Sequence, residues 1–253
     1  DKPIIFPDIT YSFYDVWADL YKIPYEAIPL KEDFRIDPAD YKRENGGIIF
    51  PNPNAPTGIE ESLSNIEEIV AANPDVVVIV DEAYVDFGCS SALPLIQKYE
   101  NLLVVQTFSK SRALAGIRIG YAFGSEKLIK YLNDVKFSFN SYTMNRLTEV
   151  VGCTCLEDKA YFEDCVQKVI ATRERTKESL KKLGFSFGDS KANFIFATHK
   201  SVPAKELFEA LKEEGIYVRY FNKPRIDNYL RISIGTDEQM DAMLGFLEQY
   251  LQK

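Results

Sequence analysis

One lysine, Lys110, stands in Thr107-Phe108-Ser109-Lys110, directly after the apolar run Leu102 to Val105. A run this short, with two adjacent valines, reads as a buried strand, and the T-x-S-K that follows carries the ammonium at the strand's carboxyl edge. Open α/β sheets bind ligands along that edge. A loop lysine is ordinarily solvated, but the neighbours of Lys110 argue for more. Arg118 follows inside Ala113 to Ala122, an otherwise apolar segment, where a guanidinium needs an anionic partner. Two small hydroxyls, a lysine and an arginine at one edge suit a phosphate beside an electrophilic carbonyl.

A second group of polar residues interrupts apolar patterns in the same way. Asp81 ends the run Val76 to Val80 and opens Asp81-Glu82-Ala83-Tyr84. A carboxylate there calls for a cation, or else serves as a cap on the following turn. Tyr11 lies where a first strand gives way to a helix, a place where ligands are met, whereas Tyr14 reads as core. Pro51 to Gly58 is too dense in proline for a regular element, and such a rigid loop can hold Asn54 in one orientation; alone it would read as an ordinary turn. Its Ala55-Pro56 bond can be cis at modest cost. Arg219, in Ile-Tyr-Val-Arg-Tyr-Phe, is as well explained by alternation toward solvent as by a ligand. Arg231, between Leu230 and Ile232 on an inner strand, reads as an anion binder.

These residues need a frame, and the composition supplies one. The 253 residues, 46% of them hydrophobic, suffice for one large or two smaller units with a real core. A net charge of -8 and a pI near 4.9 argue against nucleic acid as the partner. No apolar run reaches membrane-spanning length. The four cysteines, Cys89, Cys153, Cys155 and Cys165, show no metal-ligand spacing, and the single histidine, His199, lies far from the lysine motif. Metal sites and histidine triads are therefore not expected, and a reduced, cytoplasmic protein is. Strands are predicted at Pro3 to Pro7, Ile48 to Phe50, Val76 to Val80, Leu102 to Gln106 and Ile117 to Phe123. The helices predicted among and after them run from Ser12 to Leu20, Glu60 to Ala72 (acidic in its first turn), Glu126 to Asp134, Met144 to Leu156 and Lys159 to Leu183. From Phe185 the pattern is strand at Phe194 to Ala197, helix from Ala204, strands at Ile216 to Tyr220 and Tyr229 to Ile234, and helix to Leu251. The reading is an α/β fold with a mostly parallel sheet over residues 1–157, then a linking helix and a small α+β unit over 158–253.

The segments Asn-Ala-Pro-Thr-Gly, Asp-Glu-Ala-Tyr, Thr-Phe-Ser-Lys with Arg-Ile-Gly-Tyr, and Tyr-Leu-Arg-Ile-Ser-Ile-Gly-Thr stand in an order and spacing that resemble the pyridoxal-phosphate enzymes of the aspartate aminotransferase fold. The stretch from Ile216 to Thr236 is similar in particular to histidinol-phosphate aminotransferases. The resemblance implies a transaminase, homodimeric, moving an amino group between histidinol phosphate and 2-oxoglutarate or glutamate in histidine biosynthesis. It implies that Lys110 bonds the carbonyl of pyridoxal phosphate and carries the proton, that Asp81 pairs with the ring nitrogen, and that Tyr84 and Asn54 reach the ring oxygen. Tyr11 is implied to stack on the ring and Thr107, Ser109 and Arg118 to hold its phosphate, with Arg231 for the substrate carboxylate and Arg219 for its phosphate. A threonine-phosphate decarboxylase, an aromatic aminotransferase and an inactive remnant packing on a partner chain are the competing readings. Two departures stand out: Ala55 occupies the family's usual asparagine position, and the family's N-terminal part is missing, so a fragment is expected.

Overall fold

In the computed structural model, which describes residues 2–252, one sheet is built from β1 (Ile4–Pro7), β2 (Tyr25–Ile28), β3 (Gly47–Pro51), β4 (Val78–Asp81), β5 (Leu102–Thr107) and β6 (Gly120–Gly124), in the order β2-β1-β3-β4-β5-β6. All neighbours run parallel except β6, which returns antiparallel to β5. The expected parallel sheet is present, and its central strands are apolar because both faces are covered. Ile5, Ile48, Phe50, Val78, Val80, Leu102 and Val104 form its core, packed against Ile66, Ile69 and Val70 of α2 (Leu63–Ala72). Pro51, Asp81 and Val105 lie in one row across β3, β4 and β5, so three chains leave the sheet at the same level.

Helix α1 (Tyr14–Tyr21) links β1 to β2, and α3 (Glu126–Phe139), α4 (Arg146–Glu157) and the 24-residue α5 (Lys159–Lys182) follow the first sheet. A second, antiparallel sheet of β7 (Phe185–Phe187), β8 (Phe194–His199), β9 (Arg219–Tyr220) and β10 (Leu230–Ser233), ordered β7-β8-β10-β9, carries α6 (Ala204–Glu213) and α7 (Asp237–Leu251). Leu180, Ile195, Leu207, Leu211, Ile232 and Leu247 form a separate buried cluster there. The two meet through Phe196, whose ring joins the core of the first sheet. Arg173 of α5 is buried and donates to the carbonyls of Phe87 and Ala192, pinning the chain after β4 to the chain before β8.

Several boundaries differ from the sequence reading for local reasons. Helix α2 begins at Leu63 because Ser62 caps it, its hydroxyl accepting from Asn65 N–H. The acidic residues expected in its first turn lie outside it: Glu61 is buried and accepts from Ile36 N–H, and Glu60 accepts from Ser90 N–H. The strand expected from Ile117 is broken by a 3₁₀ turn at Ala115–Ile117 and by Arg118 at φ 57°. Ile216 to Val218 do not join β9, because Gly215 at φ 79° lets Ile216 N–H bond back to Leu211 and close α6. His199 is buried, bonding Leu183 O and accepting from Val202 N–H, and serves the second sheet.

Phe50 is fully buried beside Tyr41. The change Phe50→Ala should cost about 3–5 kcal/mol, read as a lowered urea midpoint at unchanged slope.

Candidate active site

The carboxyl ends of β1, β3, β4 and β5 open into a cleft of about 390 Å³ lined by Tyr11, Ala55, Asp81, Tyr84, Thr107, Ser109, Lys110 and Arg118. Of the ten residues singled out from the sequence, seven line this cleft, Arg219 and Arg231 line a second cavity that adjoins it and shares Tyr11, and Asn54 lines neither. The convergence follows from topology, since parallel strands deliver their following loops to one edge.

Each loop is held by its own polar side chain. The Thr107 hydroxyl lies 3.1 Å from the Ile119 carbonyl and 3.0 Å from Ser109 Oγ, and accepts from Ser109 N–H at 3.1 Å. This folds T-x-S-K into a turn and leaves Lys110 exposed at the cleft, its Nζ 5.2 Å from the centre of the Tyr84 ring. Arg118, exposed by its left-handed backbone, donates to Ala115 O at 2.8 Å and forms no ion pair among the described residues. Being exposed, the guanidinium is solvated, so its apolar sequence setting does not by itself demand a protein carboxylate, and it lines the cleft. Both Asn52-Pro53 and Ala55-Pro56 are cis. Asn54 is buried, and its amide donates to Ile9 O and Thr57 Oγ1 while Thr10 Oγ1 donates to its oxygen. The expected orientation toward the cleft gives way to these bonds, which knit the loop to the end of β1; the residue facing the cleft is Ala55.

Asp81 closes the base of the cleft. Tyr14 Oη donates to its Oδ2 at 2.9 Å, and Ala83 N–H to its Oδ1 at 3.1 Å. Burial pushes the carboxyl above the usual carboxylate range, while these two bonds and the charge of Lys110 pull it back. Tyr14 was read as core from its apolar setting, and it is buried; its bond to Asp81 could have been sought in its place at the same turn as Tyr11.

The second cavity, about 270 Å³, adjoins the first across Tyr11 and Ala55 and is lined also by Asp8, Arg219, Phe221, Lys223 and Arg231. Arg219 and Arg231 are direct partners across β9 and β10 and so share a face. Neither forms an ion pair among the described residues, and the buried Nε of Arg231 has no hydrogen-bond partner. Burial, joined by the charge of Arg219, holds Arg231 below the usual arginine range. Phe194 was not singled out from sequence, yet it joins the two cavities: the Arg231 guanidinium lies 5.2 Å from its ring centre and the Tyr84 ring packs edge-on against it at 5.1 Å. The loop between β9 and β10 is fastened by Arg225, which pairs with Asp8 at 2.9 Å and donates to the carbonyls of Leu30 and Lys31. Two like charges held side by side with an unused donor form a site for an anion.

Residues 1–247 match the family described as aminotransferase class I and II. The chain is 51% identical over its whole length to a histidinol-phosphate aminotransferase of Lactococcus lactis subsp. lactis, covering 70% of that relative. It is 55% identical over 95% of its length to one from Brachyspira hyodysenteriae, covering 68%. Among solved structures, the histidinol-phosphate aminotransferase of Clostridium acetobutylicum overlays 99% of this chain and 78% of its own at a TM-score of 0.91 and 24% identity. That of Sinorhizobium meliloti, in complex with pyridoxal-5'-phosphate, overlays 99% and 70% at 0.88 and 22% identity.

If the paired arginines await an anion, inorganic phosphate should raise the thermal midpoint, and Arg231→Met should abolish that rise. Without phosphate the same variant should be unchanged or stabilised by about 0.5–1 kcal/mol, because the repulsion is gone.

Proposed function

The chain belongs to the class I and II aminotransferase family, and from this we propose that it moves an amino group between histidinol phosphate and 2-oxoglutarate with pyridoxal phosphate as cofactor. The observation that carries the reading is the pair of adjoining cavities: one with an accessible lysine and a half-buried carboxylate, the other with two arginines that form no ion pair among the described residues. The donor set fits the cofactor. Asp81 supplies a carboxylate for a protonated ring nitrogen, Tyr84 a hydroxyl for the ring oxygen, Tyr11 an exposed aromatic face, and Thr107, Ser109 and Arg118 donors for a phosphate. Asn54 is engaged in its loop, so the ring oxygen is left to Tyr84 alone on this edge.

When bound, pyridoxal phosphate supplies an electron sink that makes the proton on the substrate α-carbon removable. The chain's residues do the rest. Lys110 Nζ takes that proton and returns it, a role open to an amine that reaches the cleft from a fixed turn. Asp81, held by Tyr14 and Ala83, keeps a negative charge at the base of the cleft. Arg219 binds the phosphate of histidinol phosphate, which has no carboxylate, and Arg231 the α-carboxylate of the glutamate or 2-oxoglutarate that shares the site; side by side on β9 and β10 the two arginines serve the anion of each substrate in turn. A ligand with no anionic group leaves Arg219 facing Arg231 without a counter-charge.

The same reading assigns cofactor binding to residues 1–157 and substrate-anion binding chiefly to 158–253. It places the protein in the cytoplasm as a homodimer. Self-association is supported by exposed apolar side chains on α1 (Trp17, Leu20 and Tyr21) and on α3 (Val135 and Phe139). No helix among the described residues is long and apolar enough to cross a membrane.

Incubation with pyridoxal phosphate, borohydride reduction and peptide mass spectrometry should give one adduct, on Lys110, and none there in Lys110→Ala. Labelling scattered over surface lysines would overturn the assignment. In steady-state kinetics, Arg219→Ala should raise KM for histidinol phosphate by about 10- to 100-fold. An unphosphorylated amino donor should be affected far less, and equal effects would remove Arg219 from phosphate recognition.

A further inference from the structure

The base of the cleft contains a buried hydroxyl whose role none of the assignments above explains. Tyr14 opens α1 one turn after Tyr11, with its ring packed edge-on against Phe6 at 5.9 Å and Tyr11 at 5.6 Å. At 6% exposure it has one polar atom, and that atom donates to Asp81 Oδ2 across 67 residues of sequence. A phenylalanine would fill the same space against the same rings, so packing alone does not call for the hydroxyl.

We infer that Tyr14 is a positioning residue for the cofactor ring: by donating to Asp81 it keeps that carboxylate ionised and turned to the cleft, and it fixes Tyr11 to the same geometry. This rests on the proposed cofactor. The carboxylate has two oxygens, of which Oδ1 is fixed by Ala83 N–H and Oδ2 by Tyr14, so the plane of the group is set before any ligand arrives. A ring nitrogen that must stay protonated needs an acceptor of this kind, pre-oriented and not itself protonated.

Electrostatics around the pair agree. Burial, then the Asp81 charge, hold the Tyr14 phenol well above its usual range, so it remains a donor; Tyr11 adds to the same shift. Asp81 is pushed up by burial and pulled down first by Tyr14, then by Ala83 N–H and Lys110. Losing the Tyr14 bond therefore raises the pH at which Asp81 takes up a proton. Since the ring nitrogen is paired only while Asp81 is ionised, cofactor affinity falls on acidification through that pH, and the fall moves to higher pH without the hydroxyl.

The test is an equilibrium titration of pyridoxal phosphate, followed by absorbance across pH, on the unmodified chain, Tyr14→Phe, Asp81→Asn and the double variant. Tyr14→Phe should weaken affinity roughly tenfold and move its acid limb upward. Asp81→Asn should weaken it more, and adding Tyr14→Phe to Asp81→Asn should change it by less than about twofold. An equal loss in both backgrounds with an unmoved acid limb would show a packing role and overturn the inference. Saturable binding by the unmodified chain together with an unaffected Tyr14→Phe would overturn it as well, leaving the proposed function standing. No saturable binding by the unmodified chain would reject the proposed cofactor, and this inference with it.

Discussion

A carboxylate at the end of a buried strand is the constraint on which this structure turns. Asp81 follows Val78 to Val80 in β4, where burial disfavours its charge, and it stays compatible with the fold because Tyr14 and Ala83 donate to it and Lys110 faces the same cleft. Those three partners come from α1, from the turn after β4 and from the turn after β5. Satisfying one charge thus fixes the mutual placement of three loops at the carboxyl edge of the sheet. The hydroxyl of Thr107 and the amide of Asn54 act likewise within their own loops, replacing water with internal partners.

The second sheet solves the opposite problem. Arg219 and Arg231 are placed as cross-strand partners of like charge, and the fold offers them aromatic faces, Phe221 and Phe194, in place of carboxylates. A cation over a ring is only partly compensated. The pair is therefore left open to an anion, a local cost set against two buried clusters elsewhere in the fold. Phe194 is shared by Arg231, which lines one cavity, and Tyr84, which lines the other.

Much of this was legible in the residues. Asp81, Lys110, Arg118 and Arg231 each break an apolar pattern, and a break of that kind has few physical excuses. The strand ends that carry them follow from β-branched runs, whose type and position agree with β3, β4 and β5. Less legible were features set by tertiary contacts. The pattern at Tyr25 to Ile28 is too short to announce β2, and Phe185 to Phe187 too short for β7. Asn54 has the type and position of a ligand, but whether its amide points to the cleft or to Ile9 depends on a strand end 45 residues away. Tyr14 met a core pattern and is core; its hydroxyl's partner lies on another strand and leaves no mark in the local sequence.

The clamp made by Arg225 joins the beginning of the chain to its end. Its partner Asp8 is 217 residues away, and the carbonyls of Leu30 and Lys31 nearly as far. Contacts of such separation close the largest loops and form after local ones have consolidated. Each sheet has a buried cluster of its own, whereas the cavity beside the β9–β10 loop exists only where residues far apart in sequence meet. The regular structure of this chain thus rests mainly on contacts within each sheet, and the shape of the cavity at Arg219 and Arg231 on contacts that span most of the sequence.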